Sequence, residues 1–508
     1  MAKVIDKYFE FIAKKEYLIY IIMLFDTMGK RIRFIIGLLF FVTAVGAKIQ
    51  LPSVLATGMV LQQQTKVKLW GKANFDTRIK VKTSWDNKTY MTKSGKDGSW
   101  EIQVFTPVAG GPYEIMIDDG ERLVLENILI GEVWLCSGQS NMEVPMRGFP
   151  YQPVLNSNKI VAKSNPSTPI RIYTSDMDEY GNWTWQYSKK PQNDCTGRWM
   201  DNSPENVALT SAVAYLYACY LQEALKVPVG IIVSTLGGTQ IEAWMSREAL
   251  ADFPEIGLSH LDDGEKIERP HNTPCVLYNA KLAPLTNFTI KGFLWYQGES
   301  NRGNVEKYAR LFPAFVKDLR DKWGLGALPF YYVQIAPYRY DNADEEQTAL
   351  MREVQLNSML SIPNSGMATT MDIGDIDCIH PANKEVVAER LAYWALAKTY
   401  GKKGIVYTAP VYKSMEIKDG KIYITFDDLG YGGLMPVNTP LKSFEIASTD
   451  KVFHPAKAVF DAKTKAVIVW SDEVEKPVAA RYAFKNYAEA SLFNTSGIPV
   501  SSFRTDNW

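Results

Sequence analysis

Between about residues 132 and 401, short apolar runs typical of buried strands alternate with longer stretches of helical periodicity. The predicted strands are Val133 to Leu135, Val229 to Val233, Gly292 to Tyr296, Phe330 to Ile335 and Ala368 to Met371. The predicted helices are Ala212 to Leu225, Val305 to Trp323, Ala349 to Leu360 and Lys384 to Tyr400. Strands that alternate with helices form parallel sheets covered by helices, so the sequence predicts an α/β core.

Both flanks of this core have a different texture, because apolar and polar residues alternate there in short runs between turn signals. Lys66 to Trp70 and Arg78 to Lys82 show the pattern before the core, and Met415 to Ile424 shows it after the core, with a hairpin signal at Asp419-Gly420. Such alternation predicts antiparallel β structure. We expect an amino-terminal β domain at 48–128, an α/β domain at 129–405 and a carboxy-terminal β domain at 406–508.

The amino terminus has the order of an export signal. Met28 to Arg33 is basic, Phe34 to Val42 is apolar, and Ala44 to Ala47 consists of small residues and one valine. A basic start, a short apolar middle and small residues at the cleavage site are typical of a secretory signal. We expect residues 1–47 to be an extension plus a signal peptide at about 28–47. The mature protein is then periplasmic or extracellular, and the apolar run is too short for a stable membrane span.

Charge and cysteine content exclude several classes of protein. The chain has 56 Lys or Arg against 56 Asp or Glu, and residues 1–47 hold seven of the basic and four of the acidic groups, so the mature chain has a net charge of −3. Without a basic surplus, a nucleic-acid partner is not expected. The five cysteines form no Cys-x-x-Cys pair, so the sequence predicts neither a disulfide framework nor a zinc site.

Polar residues with complementary chemistry follow the predicted strands. Ser140 follows the first strand, the Gly237-Gly238 pair follows the second, and Gln297 follows the third. The last strand is followed by a segment in which an aspartate precedes His380 by three residues. Because the carboxyl ends of parallel strands meet at one edge of a sheet, we expect these residues to lie close together.

These residue types fit the parts of a hydrolase. A serine after a glycine turn, at the start of a helix, exposes its hydroxyl and its N–H, and a glycine pair lets backbone donors approach a substrate. A carboxylate such as that of Asp377 can hold one nitrogen of His380 while the other faces Ser140. Singly, Ser140 is explained as a helix cap, the glycine pair as a tight turn, and Asp377 as a turn-capping residue. Their joint placement favours the catalytic interpretation.

Four segments resemble the sialate O-acetylesterase family of the SGNH-hydrolase superfamily: Gly131 to Glu143, Gly237 to Trp244, Trp295 to Asn301, and Asp372-Ile373-Gly374 together with Ile379-His380-Pro381. The resemblance covers nearly all of the chain after residue 48. It implies an SGNH-type parallel sheet flanked by helices. It also implies hydrolysis of O-acetyl esters on a sugar or glycan through an acetyl-enzyme, without a metal or other cofactor.

The resemblance also implies catalytic roles. Ser140 corresponds to the nucleophile and His380 to the general base, which is oriented by Asp377, with Asp372 and Asp375 as nearby alternatives. The Ser140 and Gly238 N–H groups correspond to oxyanion donors.

The third motif departs from the superfamily's usual Gly-x-Asn-Asp, since it reads Gln297-Gly298-Glu299-Ser300-Asn301. Gln297 is the expected third oxyanion donor, and Asn301 is the alternative. The predicted substrate-binding residues are Gln139, Asn141, Glu299 and Arg147.

Several substrates and functions remain open at this level. Acetylated sialic acid is the first choice of substrate, and acetylxylan or another acetylated plant glycan is the second. A non-catalytic glycan-binding protein is the alternative from a different class, and a peptidase with the same triad is a third possibility.

Overall fold

The computed structural model describes residues 49–178, 180–427 and 433–508. The predicted signal peptide and the extension before it lie outside these described residues. Within them, no helix has the length and apolar character needed to cross a bilayer.

The chain contains three groups of strands and a set of helices between them. The strands of the amino-terminal region are β1 (Val60–Gln62), β2 (Lys66–Lys72), β3 (Arg78–Thr83), β4 (Thr89–Lys93), β5 (Ser99–Phe105) and β6 (Gly110–Asp118). Those of the core are β7 (Arg122–Gly138), β8 (Ile170–Thr174), β9 (Arg198–Met200), β10 (Val229–Thr235), β11 (Gly292–Tyr296), β12 (Phe330–Val333) and β13 (Ser365–Ala368). Those of the carboxy-terminal region are β14 (Tyr412–Lys418), β15 (Lys421–Phe426), β16 (Leu434–Met435), β17 (Pro440–Leu441), β18 (Phe444–Ala447), β19 (Phe453–Pro455), β20 (Lys457–Asp461), β21 (Ala466–Trp470), β22 (Ala479–Tyr482), β23 (Phe493–Asn494) and β24 (Phe503–Arg504). The α-helices are α1 (Ser140–Glu143), α2 (Ser157–Lys163), α3 (Pro204–Leu209), α4 (Ala212–Leu225), α5 (Arg247–Leu250), α6 (Val305–Trp323), α7 (Gln347–Ser361) and α8 (Lys384–Trp394).

A mostly parallel sheet forms the centre of the molecule. Its strands run in the order β13, β12, β11, β7, β10, β8 with every neighbouring pair parallel, and β9 adds an antiparallel edge. Alternate residues of β7 point to opposite faces, where Trp134 and Cys136 join the cluster that contains α4 and α8, and Leu135 joins the one that contains α6 and α7. The predicted α/β architecture with additional antiparallel sheets is confirmed.

Strand β7 has 17 residues and belongs to two layers of structure at once. Its first half pairs antiparallel with β6, and its second half pairs parallel with β10 and β11. The boundary predicted between residues 128 and 129 therefore falls inside one continuous strand. Strands β1, β3, β4 and β6 belong to the same sheet as the α/β region, β2 and β5 form a separate two-stranded sheet, and the apolar core is shared.

The carboxy-terminal region has its own core between a five-stranded and a four-stranded antiparallel sheet. Its first hairpin joins β14 to β15 through Asp419 and Gly420, which have φ angles of 52° and 69°, as a two-residue hairpin turn requires. The buried Arg352 of α7 fastens this region to the core, because its guanidinium donates to Ser502 Oγ at 3.0 Å and to the Ala483 carbonyl oxygen at 3.2 Å.

Three central strands end together. Gly138, the last residue of β7, lies opposite Thr235 of β10 and Tyr296 of β11. The predicted strand at 368–371 is displaced, since β13 covers Ser365–Ala368, so the residues after Ala368 already belong to the loop at this edge. The segments that follow these strands consequently start from one edge of the sheet.

A substitution at Gly138 tests how closely the backbones of β7 and β11 pack at this edge. Its φ is 141°, and a Cβ at this position would lie 2.2 Å from the Tyr296 carbonyl oxygen. We expect Gly138→Ala to lower the free energy of unfolding by at least about 2 kcal/mol, from the strained φ and the clash together. Chemical denaturation measures this change, with Gly257→Ala as the control because open space surrounds a Cβ there. Equal stability of the two variants would contradict the packing described for β7 and β11.

Candidate active site

Ser140 begins helix α1 immediately beyond the end of β7. The Gln139 N–H donates to the Tyr296 carbonyl oxygen at 2.9 Å, and the Gln139 carbonyl accepts from the N–H groups of Met142 and Glu143. This tight turn leaves Ser140 partly exposed while both of its neighbours are buried. Within the described parts of the chain, no acceptor is found for the Ser140 N–H. The serine thus presents a hydroxyl and a backbone donor at the edge of the sheet.

The Gly237-Gly238 turn after β10 lies beside this serine. A Cβ on Gly237 would come within 3.3 Å of the Ser140 Cβ and 2.8 Å of a Glu143 carboxylate oxygen. The Gly237 N–H faces that carboxylate, whose pKa is raised by burial. Gly238 has a φ of 69°, and the space around its missing Cβ is open. The loop therefore places its backbone next to Ser140 and leaves open space beside Gly238.

Gln297 and Asn301 form hydrogen bonds that connect two loops. Gln297 is fully buried, and its Nε2 donates to the Thr239 carbonyl oxygen at 3.0 Å and to Asn301 Oδ1 at 2.7 Å. The Asn301 Nδ2 donates to a Glu242 carboxylate oxygen at 2.9 Å, and its Oδ1 also accepts from the Ile241 N–H. The predicted role of Gln297 as an oxyanion donor is not supported, because both of its amide hydrogens are used to fasten the β11 loop to the β10 loop. The alternative, Asn301, stays a prediction.

Asn141 is the centre of a buried polar network. Its Nδ2 donates to Glu299 Oε1 at 2.6 Å and to the Ile379 carbonyl oxygen at 3.1 Å, and its Oδ1 accepts from Lys384 Nζ at 2.6 Å. Burial raises the pKa of Glu299 and lowers the pKa of Lys384 to about 7. The network joins the residue after Ser140 to the loop that carries the histidine.

The four residues predicted to bind substrate divide into two kinds. Gln139, Asn141 and Glu299 are buried, and Gln139 Oε1 accepts from the Gly298 N–H at 3.2 Å, so these three hold the loops together. Arg147 is exposed, and no hydrogen bond or ion pair of its guanidinium is found in the part of the chain that the structure describes. Arg147 alone of the four is free to meet a ligand.

His380 lies half-buried in the loop between β13 and α8. Its Nδ1 contacts Gln152 Oε1, and the Phe149 ring packs edge-on against the imidazole with ring centroids 5.7 Å apart. Burial, with a smaller contribution from the positive charge of Lys384, lowers the pKa of His380 to about 4. The imidazole is therefore neutral at neutral pH and can accept a proton.

The predicted partnership between Asp377 and His380 is wrong for this structure. The Asp375 carboxylate accepts the N–H groups of Asp377 and Cys378, and this turn points Asp377 outward, where it pairs with Arg339 at 3.2 Å. No hydrogen bond joins Asp377 to His380 among the described residues.

The two alternative acids do not orient the histidine either. Asp372 is engaged by Arg390 through two hydrogen bonds of 2.7 Å each. Asp375 accepts the N–H groups of the turn described above, and among the described residues no hydrogen bond joins any of the three aspartates to the imidazole.

The sequence-based predictions did not include the residues that surround His380. Gln152 and Phe149 lie in an irregular segment with no motif, and nothing in their spacing indicates a contact more than 200 positions away. Lys384 had a usable signal, because it lies four residues after His380 at the start of a predicted helix.

Neither a metal site nor a disulfide is found in the described residues. No group of three or more His, Cys, Asp or Glu side chains is arranged there to hold a metal ion. All five cysteines are free thiols, and burial raises the pKa of Cys136 strongly.

Comparisons with known proteins agree on one kind of enzyme. A family model described as carbohydrate esterase, sialic acid-specific acetylesterase, matches residues 130–393. The chain is 29% identical to sialate O-acetylesterase of Mus musculus, with 73% of this chain and 77% of that protein covered. It is 28% identical to sialate O-acetylesterase of Homo sapiens, with 90% and 92% covered. A crystal structure of a novel carbohydrate acetylesterase from Xanthomonas citri is 35% identical, with a TM-score of 0.80, and covers 91% of this chain and 100% of that chain.

The fold, together with these matches, defines an esterase. Because the family model spans more than half of the 508 residues, the chain belongs to the family of carbohydrate esterases described as sialic acid-specific acetylesterases.

The environment of His380 predicts an acid-tolerant esterase. A histidine that serves as a base must be neutral, and with a pKa of about 4 it stays neutral well below the ordinary range of imidazole. We expect kcat/KM for an aryl acetate to remain flat down to about pH 5 and to fall by half near pH 4. Circular dichroism at each pH separates this titration from acid unfolding. A fall by half near pH 6.5, the ordinary value for histidine, would contradict the description.

Proposed function

We propose that the chain hydrolyses O-acetyl esters on carbohydrate, with Ser140 as the nucleophile and His380 as the general base. One observation carries the proposal: Asn141 Nδ2 donates to the Ile379 carbonyl oxygen at 3.1 Å. These two residues are the immediate neighbours of Ser140 and His380, so the hydrogen bond fastens the two reactive segments to each other. The matches to acetylesterases support the same reaction.

In this mechanism His380 Nε2 takes the proton of the Ser140 hydroxyl, and the serine oxygen attacks the acetyl carbonyl. The resulting oxyanion is stabilised by the N–H groups of Ser140 and Gly238. His380 then protonates the departing sugar oxygen, which leaves an acetyl group on Ser140. Water gives a proton to His380 and attacks the acetyl carbonyl, the bond between the Ser140 oxygen and the acetyl group breaks to release acetate, and His380 returns the proton to Ser140. In this proposal the oxyanion is bound by two backbone N–H groups. The side-chain amide of Gln297 does not take part, because its N–H groups donate to Thr239 and Asn301.

Acetylated sialic acid is the substrate that we propose first, because the family description and the two mammalian relatives name it. Sialic acid has a carboxylate, and an arginine is the side chain best suited to bind it. Arg147, exposed and without a partner within the described chain, is available for that contact.

An acetylated glycan without a carboxylate, such as acetylxylan, is the second candidate. The similarity to the Xanthomonas citri protein supports this candidate. That protein is described only as a carbohydrate acetylesterase, and at 35% identity it is more similar to this chain than the two sialate esterases described above.

We also propose an SGNH-type architecture for the catalytic sheet and export of the protein. The parallel order of β7, β10 and β11 and the carbohydrate esterase relatives support an SGNH-type catalytic sheet. The basic, apolar and small-residue segments at about 28–47 support export to the periplasm or the extracellular space, with cleavage after Ala47.

Acetate release from 9-O-acetylated sialic acid and from acetylxylan tests the function. We expect release from the sialate ester, loss of nearly all of it in Ser140→Ala, and a several-fold higher KM for this ester alone in Arg147→Ala, because Arg147 meets its carboxylate. Activity confined to xylan would overturn the first choice of substrate and favour the second. Absence of hydrolysis by folded wild-type protein, with an aryl acetate included, would favour a glycan-binding protein.

A further inference from the structure

Residues 148–152 form a tight turn that faces the histidine. The Phe149 N–H donates to the Gln152 carbonyl oxygen at 3.1 Å, and the Gln152 N–H donates to the Phe149 carbonyl oxygen at 3.0 Å. Gly148 has a φ of 79°, and a Cβ there would lie 2.6 Å from the Gln152 carbonyl oxygen. The backbone of Gln152 is thus fixed by two hydrogen bonds and by a position that only glycine fits easily.

Both ends of this turn are attached to the core. The N–H groups of Met146 and Arg147 donate to the carbonyl oxygens of Thr210 and Ala208 at 2.8 and 3.0 Å. Beyond the turn, the Leu155 N–H donates to the carbonyl oxygen of Ala382 at 2.8 Å, two residues after the histidine. The 148–152 turn and the histidine loop are therefore held as one unit.

We propose that Gln152 is the positioning residue of His380 and occupies the place that an acidic side chain takes in a Ser-His-Asp triad. Its Oε1 contacts His380 Nδ1, while the Phe149 ring fixes the plane of the imidazole from the side. An amide oxygen only accepts hydrogen bonds, so the proton lies on Nδ1. The lone pair of Nε2 is then free to take the proton of Ser140. This assignment rests on the proposed catalytic role of His380.

A neutral amide has a chemical consequence that an acid would not have. A carboxylate stabilises the imidazolium that forms when the serine is deprotonated, whereas an amide orients the ring without adding negative charge. Neither Lys384, which lowers the pKa of His380, nor Asp377, which pairs with Arg339, adds negative charge beside the imidazole. From the same loop, Cys378 contributes only a thiol hydrogen to the His380 carbonyl oxygen at 3.3 Å. The arrangement is that of a weakly basic histidine.

The test compares three variants in an otherwise unchanged protein, with an aryl acetate as substrate. Gln152→Ala removes the acceptor, and we expect kcat to fall about 10²-fold with KM changed less than about twofold. Gln152→Glu keeps an acceptor oxygen and adds charge, so it should recover most of the activity and move the acidic limb of the pH profile up by about one unit or more. Gln103→Ala, an exposed glutamine on β5, is the matched control and should leave kcat unchanged.

Three results would overturn the assignment. They are a Gln152→Ala enzyme within about threefold of wild type, a Gln152→Glu enzyme with an unshifted acidic limb, and an Asp377→Ala enzyme that loses about 10²-fold in kcat. Thermal melts show whether each variant is folded, and the pH shift of Gln152→Glu remains informative if Gln152→Ala is not. Hydrolysis that survives Ser140→Ala would instead remove the proposed function, so the two failures are distinguishable.

Discussion

Close contact between the backbones of β7 and β11 determines where the turn at Ser140 begins. Gly138 meets the Tyr296 carbonyl with no space for a side chain, and Thr235 lies opposite on the other side. Since the three strands are parallel and end in register, the turn that leads to Gly238 and the loop after Tyr296 each begin about one strand spacing, roughly 5 Å, from the start of the turn at Ser140. Strand register alone therefore brings these three segments to one edge of the sheet.

Buried polar contacts then fix the loops. Asn141 links Glu299, Lys384 and the histidine loop, while Gln297 and Asn301 tie the β11 loop to the β10 loop. Taking two ionisable groups out of water is costly, and removing one partner leaves the other without compensation. Such a network stabilises one geometry strongly, because any displacement of a loop leaves buried donors and acceptors unsatisfied. Gln139, Asn141 and Glu299, which the sequence predicts to bind substrate, instead hold the loops around Ser140 in place.

The sequence predicts the positions that follow from the periodicity of strands and helices. It does not predict which way a loop side chain points. Strands and helices of the core are predictable, so the position of Ser140 directly after β7 and that of His380 in the loop between β13 and α8 follow from the sequence. The direction of Asp377 is not predictable from its spacing, because the Asp375 carboxylate caps the turn and points it outward. Gln152 is not predictable either, since its contact depends on a turn that lies more than 200 residues from the histidine in the chain. The boundary predicted after residue 128 falls inside β7, which continues from Arg122 to Gly138.

An acetyl group on Ser140 is covalently bound, so its formation is directly observable. Acid quenching during turnover of an aryl acetate, followed by peptide mass spectrometry, locates any covalently bound acetyl group. We expect one acetyl group on the peptide that contains Ser140, which disappears when substrate is exhausted and is absent from Ser140→Ala. An acetyl group on another residue, or turnover with no acetylated peptide in a rapid quench that traps a control serine esterase, would contradict it.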